Sequence, residues 1–155
     1  MAKEYKPLHK NNFVNEAPTN FYSGNAAVPL VEMTSYQKMQ IVRGGITKTY
    51  LTKLKEETAL DYDALAQALS VTRSTLINKK GDQTFSDPIG ERIIAVAELY
   101  SFGYEVFEDK DRFNKWMFAP NQALGGVAPF EFMDNQFGRE EIRNLIGRIA
   151  YGVFS

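Results

Sequence analysis

The chain has 155 residues, 44% apolar and 24% charged, a composition that fits one compact domain or two small ones and excludes disorder of the whole chain. A formal net charge of −1 excludes a uniformly basic coat for nucleic acid, and the lack of cysteine excludes disulfides and thiolate metal sites. No apolar run approaches the ~20 residues that span a bilayer. The first residues lack a charged head followed by an apolar stretch, so a soluble, cytoplasmic protein with no membrane partner is expected.

The charge is unevenly placed. Residues 38–80 hold eight Lys/Arg against four Asp/Glu, whereas residues 81–155 hold seven against twelve. Such asymmetry points to a central region that faces an anionic partner and a C-terminal region with another task.

Residues 1–32 read as a polar arm, punctuated by Pro7, Pro18, Gly24 and Pro29 and rich in asparagine. From residue 33 the pattern becomes helical. Met39 and Val42 lead into a stop at Gly44-Gly45, and Thr47 caps a helix with Tyr50, Leu51 and Leu54 on one face. Asp61 caps the next helix, which carries Leu65, Ala66 and Leu69. After a break at Ser70-Val71, Thr72 caps a segment from Arg73 to Lys80. Asp87-Pro88 reads as a cap with proline at the first helical position, and Gly103 as the end of that helix. A second unit starts near Asp109, with Phe113, Trp116 and Met117 at helical spacing. Pro120 to Gly126 forms a turn region, and Pro129 starts a short helix with Phe132 and Met133 inward. Arg139 to Tyr151 is the clearest amphipathic helix, with Ile142, Leu145, Ile146 and Ile149 at i, i+3, i+4 and i+7, and Gly152 ends it. Nothing reads as strand. The fold class is all-α, divided into the arm (1–32), a helix-turn-helix domain (33–104) and a small C-terminal helical domain (105–155).

Residues 60–81, LDYDALAQALSVTRSTLINKKG, have the pattern of a helix-turn-helix. Small Ala66 lets the second helix approach, while Val71 and Leu76 plug the corner. Thr72, Arg73, Ser74, Thr75, Asn78 and Lys79 would then be exposed, the side-chain types that bond phosphates and base edges. Ser70 stands where glycine is usual, because that turn favours positive φ. Ile77 is an apolar neighbour of the same face.

The C-terminal string is the more specific signal. It holds Trp116, Pro120-Asn121, Ala123-Leu124-Gly125-Gly126, Pro129, Gly147-Arg148-Ile149 and Gly152-Val153 in order. This resembles the toxin-binding domain of the Xre, MbcA and ParS antitoxins: a tryptophan helix, a Pro-Asn-x-Ala-Leu-Gly-Gly-x-x-Pro loop and a last helix ending Gly-Arg-Ile-x-x-Gly-Val. Ala128 departs from the family's threonine before the proline, losing a capping hydroxyl, and Phe130 and Phe132 are bulkier than its leucines. The structural signature residues are Trp116, Asn121, Leu124, Gly125, Gly126 and Pro129.

The resemblance implies a type II antitoxin whose partner is a RES-domain, NAD-consuming toxin, whose last helix and tail plug the toxin's active-site cleft, and which represses its own operon. Arg148, Tyr151, Gly152, Val153, Phe154 and Ser155 are the implied toxin contacts. A homodimer on operator DNA is expected, since helix-turn-helix proteins usually read paired half-sites. The lone His9 lies in the arm, and no nucleophile elbow, metal cluster or phosphate-cradling loop is present, so no catalytic residue, metal or cofactor is expected. Two other readings stay open: a stand-alone transcriptional regulator, and a protein-only antidote whose helix-turn-helix no longer reads DNA.

Overall fold

Side-chain oxygens set most of the helix starts. In the computed structural model, which describes residues 30–152, Thr34, Thr47, Asp61, Thr72, Asp109 and Asn135 each accept a backbone N–H from the first turn they precede. They open α1 (Ser35–Gly44), α2 (Lys48–Thr58), α3 (Tyr62–Leu69), α4 (Arg73–Ile77), α6 (Lys110–Phe118) and α7 (Gln136–Ala150). Thr34 and Gln37 complete a reciprocal capping box. The long helix α5 (Asp87–Phe107) starts instead from Ser86, with Pro88 in its first turn and no side-chain cap. Sequence patterning placed that cap one residue later, at Asp87. Both readings put the proline where its missing N–H costs nothing.

The described residues are all-helical, with 3-10 turns at Leu30–Glu32, Gln122–Leu124 and Pro129–Phe132 and only two isolated β-bridges. The first of these turns matters for the arm. Leu30 is fully buried against the core, so packing begins ahead of residue 33, while residues 1–29 lie outside the described set. The predicted segment from Arg73 to Lys80 is helical only to Ile77.

Helix α5 is the axis of the molecule. It touches α1, α2, α3, α6 and α7, and buries Ile93, Ile94, Val96, Ala97, Tyr100 and Tyr104 in one continuous core. That core includes Leu51, Leu54, Leu65, Leu69 and Leu76 from the first half and Phe113, Met117, Phe130, Met133, Ile142 and Ile146 from the second. Each such side chain contributes roughly 1.5–3 kcal/mol of transfer free energy. The boundary drawn at residues 104/105 therefore falls inside a helix that both halves use.

Gly103 does not end that helix, contrary to the sequence reading. It lies in its interior, and a Cβ there would meet the Phe113 ring at 2.2 Å. The residue is small so that α6 can lay Phe113 flat on α5. Around it Tyr100, Tyr104, Phe107, Phe113 and Trp116 form an edge-to-face and stacked aromatic cluster with centroids 5.2–5.9 Å apart. The helix ends four residues on, at Phe107, and is closed by Glu108 in a left-handed conformation (φ 57°). Tyr104 donates its hydroxyl to Asn114 Oδ1 at 2.8 Å, whereas the Tyr100 hydroxyl is buried without a partner among the described residues. Burial pushes both phenols up from their ordinary pKa.

Two glycine substitutions on these helices should diverge in sign. Gly103→Ala forces a methyl into the Phe113 ring and should cost about 1–3 kcal/mol. Gly147→Ala, on α7 with open space around its Cβ position, should gain up to about 1 kcal/mol from helix propensity. Denaturant melts of the two variants measure both.

Candidate interaction surfaces

Helices α3 and α4 and the turn between them have the predicted helix-turn-helix arrangement. Leu65, Leu69 and Leu76 are fully buried, Ala66 nearly so, and Val71 partly. Ser70 takes the left-handed turn conformation itself (φ 52°, ψ 45°), a position where a non-glycine residue costs roughly 1–2 kcal/mol.

Of the six side chains assigned to DNA, Thr72, Arg73, Ser74 and Asn78 are exposed, and Thr75 and Lys79 are half-buried. They do not offer equal chemistry. Thr72 Oγ1 accepts the Thr75 N–H and also bonds the Thr75 and Ser74 hydroxyls at 2.8 and 3.1 Å, so these three groups mainly hold the helix start together. Arg73 lies 3.4 Å from Asp63 in a solvent-exposed pair that a phosphate can displace at little cost. Lys79 has no ion-pair partner among the described residues. Ile77 is partly exposed beside them.

Contacts that Lys48 and Lys55 make to α3 and α4 were missed in the sequence. Lys48, on α2, donates its ammonium to the Leu76 carbonyl, placing a cation at the C-terminal end of α4. Lys48 and Lys55 also lie over the Tyr62 ring, 4.6 and 5.1 Å from its centroid. Part of the central positive charge is thus structural. No local motif encodes these contacts, because they join residues 7–28 positions apart.

In the C-terminal unit Asn121 organises the glycine loop. Its Oδ1 accepts the Ala123 N–H at 2.9 Å, its carbonyl accepts Leu124 and Gly126 N–H, and its own N–H donates to Val127. Gly125 and Gly126 take φ of 71° and 85°, the left-handed region that such a tight loop requires. Leu124 is half-buried and Trp116 is half-buried against Phe107 and Phe113. Pro129 begins a 3-10 turn rather than an α-helix, and the three-residue repeat pairs Phe130 with Met133 in the core. Phe132, expected inward, is only partly buried, and Phe130 takes the deep position. Glu131 accepts from Gln67 Nε2 at 3.2 Å.

Helix α7 buries Ile142, Leu145 and Ile146 and exposes the opposite face. At its end Arg148 is exposed with no ion-pair partner among the described residues, Tyr151 is 87% exposed, and Gly152 turns the chain with φ 66°. Val153, Phe154 and Ser155 lie outside the described residues. No described helix is long and apolar enough to cross a membrane, and no group of three His, Cys, Asp or Glu among the described residues could hold a metal.

Comparison with known proteins agrees with this construction. Residues 103–152 match the family described as antitoxin Xre/MbcA/ParS C-terminal toxin-binding domain. The chain is 29% identical over 117 residues to antitoxin Xre of Photorhabdus laumondii, covering 74% of this chain and 79% of that one. It is 31% identical over 85 residues to antitoxin Xre of Yersinia enterocolitica, covering 54% and 57%. It is also 23% identical over 137 residues to the Prs ADP-ribosylating antitoxin of a Sphingobium species, covering 81% and 86%. The C-terminal third of the chain is thus similar to the toxin-binding domain of Xre/MbcA/ParS antitoxins, and the described residues are all-helical.

Stability measurements should separate the structural from the exposed members of the α4 set. Thr72→Ala should cost about 1 kcal/mol through the lost cap. Arg73→Ala should stay within about 0.5 kcal/mol, because its ion pair is exposed. Thermal melts compared at one pH and salt give both values, and a large loss for Arg73→Ala would mean that Asp63 pairing holds the corner.

Proposed function

We propose that this antitoxin-like chain neutralises a cognate toxin through the end of α7 and the residues after it, and represses its own operon through α4. The observation that carries the proposal is the conjunction of the 103–152 family match with a last helical turn that leaves a cation and an aromatic side chain uncommitted. Arg148, Tyr151, Gly152, Val153, Phe154 and Ser155 form the toxin-binding end. Their mixture of cation, aromatic and apolar groups is a composition that dominates binding energy at protein interfaces. Following the family resemblance, the partner is a RES-domain, NAD-consuming toxin whose active-site cleft this end enters.

At α4, Arg73 and Lys79 supply the phosphate contacts, Asn78 and Ser74 the base-edge contacts, and Thr72 and Thr75 hold the helix start. The operator is read by a homodimer, one α4 in each half-site. The proposed division runs from a DNA-binding unit (33–104) to a toxin-binding unit (105–155), with α5 common to both.

Two variants separate these roles in one assay. Co-expression with the toxin gene should be lethal when residues 148–155 are deleted and harmless for the double variant Arg73→Glu/Lys79→Glu. The same double variant should lose operator binding by at least about tenfold, since each phosphate contact also carries part of the salt dependence. Survival with the deletion would refute the α7 assignment, and intact operator binding by the double variant would refute the α4 assignment.

A further inference from the structure

Alone among the described α-helices, α1 buries none of its residues completely. Its apolar side chains Met39, Ile41 and Val42 are each only half-buried. The helix meets α5 in antiparallel fashion. Lys38 pairs with Glu98 at 2.9 Å, and Val42 lies 3.7 Å from where a Cβ at Gly90 would stand. Beside these contacts the two helices leave an open groove of about 460 Å³. Its floor is apolar, made by Met39, Val42, Pro88, Ile94 and Ala95. Arg43 stands on the α1 rim and Asp87 and Glu91 on the α5 rim, and none of these three has an ion-pair partner among the described residues.

The sequence supplies an occupant of matching chemistry, tethered at one end of the groove. Ser35, which lines that end, is five residues from Leu30, and Leu30 is fully buried in the core. Immediately before it, residues 11–29 contain a single charged side chain, Glu16, against Phe13, Val14, Phe21, Tyr22 and Val28. That balance is the reverse of the composition that keeps a segment in solvent. Residues 1–10 bring Lys3, Lys6 and Lys10 against Glu4, an excess opposite in sign to Asp87 and Glu91. Reach is ample. The groove follows α1 from Ser35 to Arg43, about 12 Å at the helical rise, whereas the stretch from Tyr22 to Leu30 extends to about 26 Å. A tether this short also holds the segment at an effective concentration on the order of millimolar, far above that of a second molecule in dilute solution.

We propose that the groove between α1 and α5 is a docking site for the N-terminal arm of the same chain, with Phe21 and Tyr22 as the anchors that fill its apolar floor. The proposal is independent of the roles given to α4 and α7. It accounts for a helix that carries Met39, Ile41 and Val42 yet leaves all three half-covered. Two aromatic rings seated against them complete the packing of α1 from its outer side.

The chain has no cysteine, so one introduced thiol reports on the groove without background. Ala95→Cys places it on the floor, and Lys53→Cys places a control on an exposed position of α2. Alkylation of each by iodoacetamide is followed in the full-length chain, then with Phe21→Ser/Tyr22→Ser added, then with residues 1–28 deleted. Either change to the arm should speed alkylation at position 95 at least about fivefold, because no docked segment has to open first, and leave position 53 within about twofold. Equal rates at position 95 with the arm native and altered, or an equal rise at position 53, would overturn the proposal. Mixing separates a second copy from the tethered arm. Excess cysteine-free native chain is added to the shortened Ala95→Cys variant, and protection restored in trans would also overturn the proposal by giving the groove to another molecule. The full-length double variant keeps the test intact should the shortened chain fold poorly.

Discussion

The contact on which the rest of the structure depends is between Gly103 and the ring of Phe113. A Cβ at position 103 would stand 2.2 Å from that ring, so the absence of a side chain there is what lets α6 dock on α5. From that contact the aromatic cluster extends to Tyr100, Tyr104, Phe107 and Trp116, and the Asn121 loop and the Pro129 turn then carry the chain back to lay α7 along α5. The glycine therefore acts at long range. It allows a helix belonging to the first half of the chain to serve as the floor of the second half, and this is why one core holds both.

The proposed binding surfaces are the places where that core stops. Helix α4 is only five residues long, too short to be stable alone, and it is held by the Thr72 cap, the buried Leu76 and the Lys48 ammonium on the Leu76 carbonyl. Among the described residues the end of α7 is closed by its own backbone bonds, and Arg148 and Tyr151 are exposed there. A short helix locked at both ends suits recognition of a rigid duplex, and an open helix end suits insertion into a partner's cleft. A hydrogen bond from the Ser70 hydroxyl to the Asp134 carbonyl joins the turn before α4 to the corner before α7.

Most of the helices were legible in the sequence, because their signals are local. Thr47, Asp61, Thr72 and the apolar spacing of residues 142–149 each act within one or two turns. The errors arose where a distant residue overrode a local rule. Gly103 reads as a helix stop but is a packing glycine, since Phe113 occupies the place of its side chain. Phe132 reads as the inward residue for an α-helical repeat, and the 3-10 turn at Pro129 gives that place to Phe130. Of the candidate site, the order of Trp116, Asn121, Gly125, Gly126 and Pro129 was legible because it forms a self-contained loop. The roles of Lys48, Gln67 and Ser70 were not, because each contact spans 28 to 64 residues.

The central claim is that one small helical body presents two separate faces, one to DNA and one to a toxin, at the same time. Sedimentation of the chain mixed with both the promoter duplex and the toxin tests this most directly. The account predicts one fast-sedimenting species that contains all three components. Displacement of DNA by toxin, or of toxin by DNA, would contradict it.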